Sequence, residues 1–160
     1  MENNKYVKLH SVLRMVAALI AIIAFISMFL TKQIVHSSFE NAFLMWDEAF
    51  FGDAAINTKG TVVGFIGYLF ILIGGLAGLA FVFIDELIGK DLTKTLSFVA
   101  GGLMILGAIM TLLTGVLFRA LNDVVNNAYH LAVGPIVFAV LSIIAGLANV
   151  ASPILEEKGL

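Results

Sequence analysis

The stretch Thr61–Ile84, TVVGFIGYLFILIGGLAGLAFVFI, decides the architecture. It contains no Asp, Glu, Lys or Arg and is long enough, at ~1.5 Å per residue, to cross a ~30 Å hydrocarbon layer as one helix. Three more stretches share this character: 11–31, 95–118 and 131–152. Arg14 is the one charged residue inside any of them, close to an end, where its long side chain is expected to snorkel to the headgroups. A charge at the centre of a span costs at least ~2.5 kcal/mol, so its absence is what lipid contact selects for.

Composition points the same way. The chain has 160 residues, 61% hydrophobic and 12% charged, with a mean hydropathy of +1.05. A water-soluble domain is about half apolar and about a quarter charged, and one this small lacks the interior volume to hide the excess. The net charge of −2 and the lack of any basic cluster give no reason to expect nucleic acid as a partner. With no cysteine, disulfides, thiolate nucleophiles and Cys-ligated metals are excluded.

The expected fold is an all-α membrane protein: a four-transmembrane-helix antiparallel bundle forming one domain over 1–160. Its parts are TM1 11–31, an outer loop 32–60, TM2 61–84, an inner turn 85–94, TM3 95–118, an outer loop 119–130, TM4 131–152 and an inner tail 153–160. Lys5, Lys8 and Arg14 precede a long apolar run without a following small-x-small cleavage site, so the first span reads as an uncleaved signal anchor. Lys5, Lys8, Arg14, Lys90, Lys94 and Lys158 fall on one side, against Lys32, Lys59 and Arg119 on the other. The positive-inside rule then places both termini in the cytoplasm, with the plasma membrane as the default location. In the inner turn, Gly89 suits the left-handed end of one helix and Asp91 the N-cap of the next. Pro135 falls early in the fourth span, where a missing N–H does least harm, and Pro153 is expected to close it.

Leucine gains nothing by leaving lipid for another leucine, so helices in a membrane associate through small residues that let backbones approach. Span one has Ala17, Ala21 and Ala24. Span two has Gly60, Gly64, Gly67, Gly74 and Gly78. Span three has Gly101, Ala108 and Gly115, and span four has Ala132, Ala139 and Gly146. The seven-residue repeat in the last two favours left-handed crossings. Packing within one bundle is the ordinary reading of these stripes, and a homodimer face on span two the sharper one.

In the first outer loop, Phe39, Phe43, Trp46 and Phe50 recur at the period of a helix face, and Ser37 with Glu40 matches a capping box. A short amphipathic helix is expected from Ser38 to Phe51. Its aromatic face has three possible homes: the leaflet interface, the top of the bundle or another protein. The layout, with a longer first outer loop, a tight inner turn, a shorter second outer loop and inner termini, resembles the claudin-type tetraspan layout. The resemblance is confined to topology. The claudin first-loop signature W…GLW…C…C is absent, since Trp46 stands alone and there is no cysteine.

Reactive constellations are sparse. His36, Asp47, Glu48, Asp53, Asp123 and His130 share the outer side, but without the ligand spacing of a zinc site. Solvated loop residues are the simpler account, so no metal and no cofactor are expected. Asp85-Glu86 is the nearest approach to a carboxylate pair, with Lys90 and Lys94 beside it. No catalytic residue is assigned, and enzyme status stays open, leaning against. Thr111, Thr114 and Ser142 suggest at most a polar seam, because hydroxyls in helices usually bond to their own backbone. The leading expectation is a non-enzymatic accessory or scaffold subunit that sits in membrane lipid and binds other membrane proteins or its own copies through its outer loop and small-residue faces. A small oligomeric channel or transporter is the alternative, and a lipid- or envelope-modifying enzyme the third.

Overall fold

Apolar composition over more than twenty consecutive residues produces helix wherever backbone polar groups must be satisfied without water. A computed structural model of the chain, which describes residues 9–38, 42–54, 57–122 and 128–158, bears this out four times. The long helices are α1 (Leu9–Leu30), α3 (Val63–Ile88), α4 (Lys90–Leu121) and α5 (Val133–Glu157), and each holds a span long and apolar enough to cross a membrane. The protein is therefore membrane-embedded and mostly helical. Phe39, Glu40, Asp123, Asn126, Asn127, Lys5 and Lys8 lie outside the described residues, as do the side chains of Asp85, Glu86 and Lys90.

Each long helix has two main neighbours. α1 packs on α3 and α5, and α4 also packs on α3 and α5. Hence α1 stands diagonally across from α4, and α3 from α5. The interior is lined by Ala17, Ala21, Ala24 and Met28 of α1, Tyr68 and Ile71 of α3, Met104 and Ala108 of α4, and Ala139 and Ala145 of α5. The opposite faces leave Leu19, Ile23, Ile73, Leu106 and Ile144 exposed, as a lipid-facing surface requires.

The helix ends depart from the sequence reading in two places. α3 and α4 are separated by one residue, Gly89, at φ 81° and ψ 151°. This is a conformation that glycine alone adopts without strain. Gly89 itself is the N-cap, and Asp91 falls in the first turn of α4 rather than at the cap. Pro153 does not close α5, which continues to Glu157. A proline removes one intrahelical hydrogen bond but need not end a helix whose next turn is held by neighbours. Here the turn after Pro153 carries Glu156 and Glu157, which meet Arg14 of α1 and Lys94 of α4.

The larger departure is in the loops. Ile34–His36 (β1), Phe43–Leu44 (β2) and Tyr129–Leu131 (β3) form an antiparallel sheet of order β2-β1-β3 that joins the two loops. Of the helix expected over 38–51, the described residues form helix over Trp46–Phe51 (α2), with Phe43–Leu44 in a strand instead. Residues 43 and 44 alternate, Phe43 exposed and Leu44 buried, and pair with Val35 and Ile34. α2 starts where the Glu48 carboxylate accepts the Met45 backbone N–H at 3.1 Å. That contact, from the third helical residue back to the N-cap, is one half of a capping box.

Candidate functional site

Two polar clusters occupy opposite ends of the long helices: one at the end bearing the chain termini, the other at the end bearing the sheet.

The terminal-end cluster is built around Arg14. It lies on the same stripe of α1 as Ala17, Ala21 and Ala24 and so points inward. Its side chain is 1% exposed, which overturns the expectation that it snorkels. Nη2 donates to Ser97 Oγ at 3.2 Å, across the diagonal to α4, and lies 3.6 Å from Glu156 Oε2 of α5. Burying a guanidinium is tolerable only with such partners, because the uncompensated charge would cost several kcal/mol. One turn away, Lys94 and Glu157 form a more exposed pair at 2.6 Å. Asp91, Lys94, Pro153, Glu156 and Glu157 line a cavity of about 220 Å³ beside the Arg14–Glu156 pair.

Deeper in the same half, Asn149 is fully buried. Its Nδ2 donates to Met104 Sδ at 3.3 Å, while Oδ1 has no partner. The amide lies flat against Gly78, diagonally across on α3, where an added Cβ would sit 2.6 Å from Nδ2. Ser142 Oγ, also fully buried, is likewise without a partner. Thr111 and Thr114 bond to the Gly107 and Met110 carbonyls of their own helix, as hydroxyls in helices do.

The sheet-end cluster is built around Gln33, which sequence reasoning passed over. Its Nε2 lies 3.0 Å from the Met28 carbonyl, capping the end of α1. Its Oε1 accepts from Tyr68 Oη at 3.4 Å. Its backbone N–H donates to the Leu44 carbonyl and its backbone carbonyl accepts from Ala132 N–H. One residue thus ties α1, α3 and both loops. Asn122 does the same on the other side: Oδ1 accepts the Lys59 N–H at 2.7 Å and Nδ2 donates to the Lys59 carbonyl at 2.9 Å. The amide mimics a β-ladder partner and pins the first loop to the end of α4.

The sheet register separates the two outer histidines. His36 pairs with Tyr129 and Val35 with His130, so the histidines point to opposite faces. His36 stacks edge-on with Tyr129 at 4.8 Å. Among the described residues, no group of three His, Cys, Asp or Glu stands close enough together to hold a metal ion.

The small residues chosen from the sequence are placed as follows. Gly67 faces the Gly107 carbonyl, Gly74 the Ala100 carbonyl and Gly64 the side chains of Thr114 and Phe50. Gly101 and Gly146 face each other's carbonyls, Gly115 faces Leu131, and Gly60 crosses the backbone at Phe50–Gly52. Ala108 and Ala139 are fully buried. All of these positions meet other parts of the same chain. Of the aromatic set, Phe50 is buried against Phe65 and Tyr68, Trp46 is half-buried, and Phe43 is an exposed strand residue with the Lys32 ammonium 4.1 Å from its ring centre. No family model, curated protein or solved structure matches this chain.

Proposed function

We propose that this is a non-enzymatic accessory or scaffold protein of the plasma membrane, a four-helix antiparallel bundle with cytoplasmic termini that binds other membrane proteins, or its own copies, through its outer loops. The observation that carries the reading is the double hydrogen bond between Asn122 and the Lys59 backbone, at 2.7 and 2.9 Å. With Gln33, it ties the described parts of two loops distant in sequence to one another. Surface held in place before binding avoids much of the entropic penalty of association. The small-residue stripes meet partners inside the chain, so the loop layer, not the helix faces, is the surface offered. α2 is acidic in its first turn, with Asp47 exposed, and the same layer carries exposed Lys32, Lys59 and His130. Extraction in mild detergent followed by mass spectrometry tests the reading. A stoichiometric partner or oligomer that is lost on Asn122→Ala supports it, and a lone monomer sinks it.

A second reading, a small channel or transporter, draws on a different observation. Arg14, Asn149 and Ser142 place polar atoms inside the helices, where ion or proton paths need them. Flux through liposomes containing the purified protein, abolished by Asn149→Leu, would favour it over the scaffold.

A further inference from the structure

An unbroken ladder of aromatic rings runs along one flank of the sheet end. Phe25 and Phe29 of α1 are 5.4 Å apart, Phe29 and Trp46 5.0 Å, Trp46 and Phe51 6.3 Å, and Phe51 and Phe65 of α3 5.7 Å, between ring centres. The ladder begins and ends on membrane-spanning helices and crosses between them through α2. Its outer side is open: Phe51 is 59% exposed, and Leu30, next to Phe29, is 74% exposed.

From this geometry we infer that the flank is a phospholipid seat, with α2 lying in the plane of the leaflet interface at the sheet end. The argument for lipid rests on continuity. Ile23, Ile26 and Leu30 of α1 form the exposed apolar surface that leads directly to Phe29, and that surface faces hydrocarbon if α1 spans the membrane. The amphipathic indole of Trp46 suits the boundary between acyl chains and headgroups, and Trp and Phe together form the apolar face of helices that lie in that boundary. Polar groups mark the water side. Asp47 is exposed on α2, and Lys32 reaches over Phe43 just past the end of α1. α2 carries no Lys or Arg, so the seat is apolar in character and takes a zwitterionic phospholipid as readily as an anionic one.

Trp46 is the one tryptophan in the chain, so the unaltered protein reports on its own seat. The full chain is placed in phosphatidylcholine nanodiscs whose lipids are brominated either near the glycerol or near the methyl end of the acyl chain. Iodide is added to the water in a parallel sample. The expected result is a loss of Trp46 emission that is larger with the shallow bromines than with the deep ones, and little loss with iodide. Strong iodide quenching without bromine quenching overturns the inference, since it places the flank in water. Insensitivity to both also overturns it, since it means that protein covers the ring.

Discussion

Arg14 and Ser97 stand on diagonally opposed helices, yet the Arg14 guanidinium lies 3.2 Å from the Ser97 hydroxyl. The side chain crosses the interior to reach it and meets Glu156 of a third helix on the way. One charged residue therefore ties α1, α4 and α5 at the terminal end. Ser97 and Glu156 both contribute to replacing the water that the guanidinium gives up.

The energetics of that tie can be read by removing its parts. Glu156→Leu takes the Glu156 carboxylate away from a buried guanidinium and should destabilise the protein by about 3 kcal/mol. The double variant Arg14→Met with Glu156→Leu removes both charges and should recover most of the loss. Thermal or denaturant unfolding in detergent micelles measures both. A double variant no more stable than the single one would show that the two residues do not act as a pair.

Two adjacent glycines offer a matched comparison of helix approach. A Cβ on Gly101 would lie 2.5 Å from the Gly146 carbonyl, whereas one on Gly102 meets nothing within 4 Å. Gly101→Leu should push α4 from α5 and lower stability by about 1–3 kcal/mol or more, the usual cost of overpacking. Gly102→Leu should be close to neutral. Equal effects in the same unfolding assay would contradict the packing described.

At Gly89 the strain is purely in the backbone, because nothing lies within 4 Å of an added Cβ. Gly89→Ala must hold φ near the observed 81° and should cost about 1–3 kcal/mol. Gly89→Asn should cost about as much, because at ψ 151° the residue lies outside the left-handed helical region that Asn tolerates. If both variants melted with the wild type, the turn would have another conformation available.

Gln33→Leu removes the amide that caps α1 and accepts from Tyr68. It should cost roughly 2 kcal/mol, since it leaves buried polar groups without partners. Hydrogen exchange should speed up at 34–36 and 129–131 together, because the sheet joins them. Exchange confined to one strand would mean that Gln33 does not organise the layer.

How much of this could be read from the chain alone differs from feature to feature. The alanines at 17, 21 and 24 define the inward stripe of α1, and Arg14 lies on it, three residues earlier. Its burial was therefore legible, had the helix phase been weighed above the habit of long basic side chains to reach for headgroups. Glu156 lies seven residues beyond Asn149 and fourteen beyond Ser142 on the inward stripe of α5, so its meeting with Arg14 followed from the same reasoning. The 38–51 helix fails for another reason. Phe39, Phe43, Trp46 and Phe50 fit a helical period, but Phe43 and Leu44 also fit the alternation of a strand, and a two-residue strand is too short for either period to be decisive.

The number and character of the long helices follow from sequence alone, because the preference of an uncharged apolar segment for lipid is a sum over its own residues and needs no partner. Tertiary structure decided which charge is buried, which glycine touches which carbonyl, and that the two loops share a sheet. Arg14 and Ser97 are 83 positions apart, and Ser37 and Ala128 are 91. Contacts at such separations depend on how four helices settle against one another, and no local run of residues records that.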